Sequence, residues 1–298
     1  MRLITIICFF QFFVPQVYAE SVPDFKMHED SLKKLIISVP FARDDKEKLE
    51  INQIFKTYFE KVLNKEGSFA YSFDSLQTVS LLRSPDERFR IISWYIPLSN
   101  YNFSYFGFLQ VMNSSTGKWE LIELFDNQGT VENISHELLQ HDNWLGTFYS
   151  EVIHRSYEGK DYYFLLGWRA DNPLTRKRII EPLKIDAEGF PTFGKQVFQY
   201  KDDLHTRIIF EYSSRVNMIM RYDAFRFPGS RAPEQVIIFD RMAPTHEFLK
   251  GNYQFYVPEM NIFDAFRYVE GRWVFTEDID VRNPRHRPPP RPTPPNLN

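Results

Sequence analysis

Residues 157–185 read YEGKDYYFLLGWRADNPLTRKRIIEPLKI. A Glu-Gly turn leads into a run of Tyr, Phe and Leu, and an Asp-Asn-Pro break at 171–173 separates it from a second run at 178–185. Short runs rich in β-branched and aromatic side chains, bounded by Gly, Pro, Asn and Asp, are strand signals. The pattern extends both ways. Upstream, candidate strands cover Thr78–Leu82, Phe89–Ile96, Tyr105–Met112, Trp119–Phe125 and Thr147–His154. Beyond Asp161–Trp168 and Arg178–Ile185 they cover Gln196–Gln199, Thr206–Tyr212, Asn217–Tyr222, Gln235–Phe239, Tyr253–Val257, Phe263–Tyr268 and Arg272–Phe275. Closely spaced strands with short turns predict a mainly β, antiparallel meander over residues 69–281, either degenerate and β-propeller-like or a β-sandwich. Asn133–His141 is the one stretch within it that reads as helix.

Before this body the period is different. Ile51, Ile54, Phe55, Tyr58, Phe59, Val62 and Leu63 form one stripe at 3.6-residue spacing, the mark of an amphipathic helix. Asp44 and Asp45 precede it as capping residues, and Gly67 follows as a left-handed terminator. A shorter helix is expected over Glu29–Ile37, stopped by Pro40, so residues 20–68 read as a helical segment packed on the body. Within the body there is a faint echo: residues 84–96, 157–169 and 212–223 each run from a polar turn through a hydrophobic strand to an aromatic–polar end. Trp94 and Trp168 are 74 residues apart and Trp168 and Tyr222 are 54 apart, less regular than a true repeat.

The ends are different polymers. Arg2, the apolar run Leu3–Val14 and the small-residue site Val17-Tyr18-Ala19 predict a signal peptide over residues 1–19. Its apolar core of about twelve residues is short of the roughly twenty that span a bilayer. Export to the periplasm, cell surface or medium is therefore expected, with no transmembrane segment in the mature chain. Cys8 is the only cysteine and lies in the signal, so thiolate catalysis and cysteine-ligated metals are excluded from the mature chain. Residues 282–298 hold seven prolines, four arginines and no acid, the composition of a disordered, extended tail. That tail carries +4 and residues 20–281 carry −8. A body of that sign does not suit nucleic acid.

No complete catalytic motif is present. His136-Glu-Leu-Leu-Gln-His141 has its histidines at i, i+5, about 140° apart on a helix, so it does not form the one-faced pair of a zinc protease. No Gly-x-Ser-x-Gly elbow, phosphate loop or dinucleotide fingerprint occurs. The expectation is no catalytic residues, no metal and no cofactor. Trp144 and Trp168, beside polar residues that include Asp171, are the candidate ligand-binding residues, because an aromatic platform next to hydrogen-bonding groups suits a sugar ring. Glu211, Asp240 and Asp278 would be the carboxylates of a hydrolase acting on glycan or peptide if they converged in one cleft.

Several stretches resemble a group of uncharacterised exported proteins common in Bacteroidota. They are Ser84-Pro85-Asp86 with Phe89-Arg90-Ile91 and Trp94, Tyr162 to Trp168, Phe193-Gly194 with Val197-Phe198, Arg207 to Ser213, Met220 to Asp223, Ile238-Phe239-Asp240 and Phe255 to Glu259. The resemblance implies export and a β-rich body and carries no activity with it. The resulting expectation is a non-enzymatic, envelope-associated binding protein whose partner is an envelope component, a glycan or a protein, with the hydrolase as alternative.

Overall fold

The structure, a computed structural model, describes residues 24–127 and 130–281. The expected signal peptide, with Cys8, and the Pro-rich tail lie outside these residues. Two helices come first, α1 (Phe25–Ser38) and α2 (Asp45–Leu63). Asp24 and Asp44 cap them, accepting from the backbone N–H of Met27 and Glu47. Fifteen strands follow among the described residues. The first four are β1 (Ser80–Arg83), β2 (Phe89–Pro97), β3 (Phe103–Asn113) and β4 (Lys118–Phe125). Next are β5 (Phe148–Tyr157), β6 (Lys160–Arg169), β7 (Thr175–Ile185), β8 (Pro191–Phe193), β9 (Phe198–Tyr200), β10 (Asp203–His205) and β11 (Ile208–Ser213). The last are β12 (Met220–Phe225), β13 (Glu234–Pro244), β14 (Tyr256–Val269) and β15 (Arg272–Ile279).

These strands make three sheets. The first is the meander β1-β2-β3-β4, the second runs β11-β7-β6-β5 with β8 on β7, and the third runs β10-β9-β15-β14-β13-β12. All pairings are antiparallel except β9 with β15. The sheets stack face to face under the helices. One face of the first sheet gives Ile92, Trp94, Ile96 and Phe108 to a core shared with Leu32, Phe55, Phe59 and Val62 of the helices. Its other face gives Phe89, Ile91 and Leu109 to a core shared with Tyr163, Leu165 and Ile179 of the second sheet. The second sheet then turns Phe164, Leu166 and Ile180 toward Ile237, Phe239, Phe266 and Trp273 of the third. Because the first two sheets are covered on both sides, β2 and β6 read as predominantly apolar runs rather than as alternating strands. The alternation persists beneath: along β2, residues 89 and 91 face one core and 92, 94 and 96 the other.

Three expectations need correction. Asn133–His141 is not helical. It runs through turns, with Asn133 at φ 50°, and Leu139 bridges Phe193. The carbonyls of Ile134, Ser135 and Glu137 accept bonds from Thr206 and Arg207 instead of serving a helix. On α2, Ile54 belongs to the sequence stripe yet is 58% exposed, whereas Asn52 is buried and accepts a bond from the Trp94 indole. Finally, Tyr253–Val257 and Phe263–Tyr268 are not separate strands; β14 runs through both after a short 3₁₀ turn at Tyr253–Phe255.

The echo also resolves. Segments 84–96 and 157–169 are equivalent, each supplying the turn into the second strand of its meander, β2 or β6. Segment 212–223 leads instead into β12, the edge strand of the third sheet. The third echo is one strand out of phase, which is why the spacing is shorter.

The two positions of the α2 stripe separate core from surface. Phe59→Ala should destabilise the protein by about 3–5 kcal/mol through lost burial and a cavity. Ile54→Ala should change stability by less than about 0.5 kcal/mol. Equilibrium denaturation of both variants checks this.

Candidate functional site

The end of the first sheet and the end of the second do not close on each other. Between them is a cleft of about 1130 Å³. Its walls come from Arg88 before β2, Val111 and Met112 at the end of β3, residues 159–164 around the β5–β6 turn, Pro182–Ile185 at the end of β7, and the segment Gly194–Gln196. The lining carries four Lys and Arg (Arg88, Lys160, Lys184 and Lys195) against one carboxylate, Asp161. Arg88 lies 3.7 Å from Asp161. Among the described residues Lys160, Lys184 and Lys195 form no ion pair, and Lys195 stands 3.9 Å over the Tyr162 ring. In a body of −8, this is a local reversal of sign.

One wall of the cleft is set from below. Arg207 and Glu181 are both completely buried, with Nε donating to the carboxylate at 2.8 Å. The other Glu181 oxygen accepts from the Tyr149 hydroxyl at 2.5 Å, and that hydroxyl accepts from the Trp144 indole at 2.9 Å. Burial and the neighbouring carboxylate push the Tyr149 phenol well above its ordinary value, so it remains the donor. The rest of the Arg207 guanidinium donates to the carbonyls of Ile134, Glu137 and Phe193. Gly194, at φ +98°, passes so close that an added Cβ would sit 2.9 Å from this guanidinium. Buried charge thus fixes segment 134–139, which carries His136 and Leu138 to the cleft.

Two clusters of titratable groups flank the cleft. In the first, the Asp86 carboxylate accepts from the Tyr163 hydroxyl at 2.5 Å, and Asp161 is bonded to His154 and the Ser156 hydroxyl, both at 2.8 Å. Burial opposes the Asp86 charge, but the bonds from Tyr163 and Ser84 outweigh it and hold the carboxyl below its ordinary range. Asp161 is held low by Ser156 and His154. Both are therefore ionised at neutral pH and do not act as general acids. In the second cluster, His136 Nε2 lies 2.9 Å and His205 Nε2 3.5 Å from Asp203 Oδ2. Sequence reading missed this group. Asp203 and His205 alternate on β10 and so share a face, which the sequence does display. His136 arrives from 67 residues earlier through the Arg207 clamp, which no local pattern announces.

The expected ligand-binding residues sit elsewhere. Trp144 is fully buried and exposes no face on which a ring could stack. Trp168 is half-buried among Tyr95, Phe103, Tyr105 and Phe148. Asp171 lines a smaller cavity of about 610 Å³ with Lys56, Glu123, Asp126 and Arg169. Trp144 and Asp171 do share one neighbourhood: Asp126 bridges the Trp144 backbone and accepts from Arg169, which also binds Asp171. Burial would raise the Asp171 carboxyl, but the Arg169 guanidinium and Lys177 outweigh it and hold it low. The carboxylates of the hydrolase alternative do not line either cavity. Glu211 accepts from the Thr175 hydroxyl, Asp240 is buried and accepts from the Ile219 amide, and Asp278 lies at φ 54° on β15.

Two outcomes follow from these ion pairs. Arg207→Met leaves Glu181 buried without its counter-charge and should cost about 3–5 kcal/mol in denaturant unfolding. Asp171 has a depressed folded pKa, so its contribution is present above the unfolded value, about 3.9, and is lost as pH falls through the lower folded value. Stability measured from pH 6 down to pH 2 should therefore fall less steeply in Asp171→Asn than in the wild type. Comparison with known proteins leaves the site to its own geometry: no family model, no curated protein and no solved structure matches this chain.

Proposed function

We propose that this chain is an exported, non-enzymatic binding protein whose basic cleft holds an anionic glycan of the cell envelope. The observation that carries the reading is the cleft itself: about 1130 Å³ of space rimmed by three lysines that have no acid partner among the described residues. Unpaired cations around a concavity focus a field that favours an anionic ligand there, while the acidic remainder of the body repels it. Thr192 and Gln196 supply neutral hydrogen-bonding groups in the same lining, as a hydroxyl-rich ligand requires. Binding rather than turnover is favoured because Asp86 and Asp161 are held ionised, while Glu151 and Asp240, the carboxyls that burial raises, do not line the cleft.

Export is part of this reading and rests on Arg2–Ala19 and on the resemblance to exported Bacteroidota proteins. No helix among the described residues is long and apolar enough to cross a membrane. The finer architecture belongs to the reading too. Three meanders stacked face to face, with Arg155 of β5 donating to Tyr222 of β12, favour an open, three-bladed propeller-like fan over a two-sheet sandwich.

The test is a panel of acidic and neutral glycans titrated calorimetrically into the purified protein. An acidic glycan should bind at 1:1 with an affinity that falls as salt rises, and Lys184→Glu/Lys195→Glu should abolish binding without lowering the melting temperature. Binding insensitive to both salt and those substitutions, or cleavage of the glycan, would contradict the reading.

A further inference from the structure

The geometry points to a divalent transition-metal site formed by His136, Asp203 and His205 at the rim of the cleft. All three donor atoms lie within 4.8 Å of one another. The distances to Asp203 Oδ2, 2.9 Å from His136 Nε2 and 3.5 Å from His205 Nε2, bracket the separation of about 3.3 Å that tetrahedral ligands at roughly 2.0–2.1 Å from zinc require. The two imidazole rings stand 4.7 Å apart, near enough for both Nε2 atoms to converge on one ion.

The arrangement is held in advance. The residues on either side of His136 are tied to the residue after His205: Thr206 Oγ1 donates to the carbonyls of Ser135 at 2.9 Å and Glu137 at 3.1 Å, and Thr206 N donates to Ser135 at 2.8 Å. Arg207 adds a bond to Glu137 from below. Asp203 and His205 are fixed to each other by β10. A site whose ligands come from two segments keeps its geometry only if those segments are locked together, and here both locks lie within two residues of the ligands. No cation is paired with Asp203 apart from the two histidines among the described residues.

The donor set selects the metal. Two imidazoles and one carboxylate suit Zn²⁺, Cu²⁺ or Ni²⁺, whereas Ca²⁺ and Mg²⁺ need more oxygen donors. On binding, each histidine becomes the Nδ1–H tautomer, its Nε2 lone pair goes to the metal, and any proton shared with Asp203 moves to Nδ1 or to solvent. Three protein ligands leave a fourth position open. His136 also lines the cleft, so an anionic oxygen of a cleft ligand could fill that position. Metal uptake requires no such ligand, and its test is therefore separate from that of the glycan.

The test uses untagged protein stripped with chelator, then dialysed against Zn²⁺ and, separately, Co²⁺. One Zn²⁺ per chain should bind, with a rise in melting temperature, and Co²⁺ should give the intense visible absorption of four-coordinate geometry. His205→Ala should weaken uptake by more than about 100-fold, the upper end of what loss of an outer-shell partner alone produces. His136→Ala/His205→Ala should abolish it with little change in the metal-free melting temperature, because neither histidine belongs to a hydrophobic core. His154→Ala, on the opposite flank, should bind as the wild type does. Absence of saturable uptake, or uptake that survives the double substitution, or loss of uptake in His154→Ala with retention in His205→Ala, would overturn the assignment.

Discussion

The buried pair of Arg207 and Glu181 is the constraint on which the cleft depends. Neither side chain reaches solvent, and between them they satisfy three backbone carbonyls and a tyrosine hydroxyl. A buried ion pair adds little net stability over an apolar substitute, but removing one partner is costly, so its main consequence is to specify position. Here it specifies where an irregular segment lies. Residues 134–139 have neither a helix nor a full strand to hold their backbone; the guanidinium satisfies the Ile134 carbonyl and shares that of Glu137 with Thr206, which also serves Ser135. The wall of the cleft and the place of His136 both follow from that arrangement.

The strand layout was legible because burial leaves a direct trace in composition. Phe89 to Ile96, apart from Arg90 and Ser93, and Tyr162 to Trp168 are largely apolar because each is covered on two faces, and the helical stripe ends in Phe59, Val62 and Leu63 because one face of α2 meets the first sheet. Segment 133–141 misled for the complementary reason. Its residue types allow a helix, and what binds its backbone instead is Phe193, Thr206 and Arg207, some fifty to seventy residues later. The same distance hid the cluster of His136 with Asp203 and His205. A motif confined to one segment can be read locally; a site assembled by a long-range clamp cannot.

Trp144 illustrates the ambiguity of aromatic residues near polar ones. The polar residues beside it suggest a ligand platform, yet its indole donates to Tyr149 and ends the same buried chain that begins at Arg207. Lysine carries the proposed site instead. Lys160, Lys184 and Lys195 are unremarkable along the sequence and become informative only when the fold places them around one concavity in an acidic body. The charge division between body and tail, −8 and +4, is visible in the sequence; the reversal of sign inside the body is a property of the fold.

The central claim is that the Arg207–Glu181 pair holds the 134–139 segment as a fixed wall. Amide hydrogen exchange, comparing wild type with Glu181→Gln under conditions where both are folded, tests it most directly. The account predicts that protection at His136 and Leu139, whose amides donate to Asn133 and Phe193, falls selectively while the amides of β2 and β6 keep their protection. Unchanged exchange at 136 and 139, or a uniform loss across the strands, would contradict it.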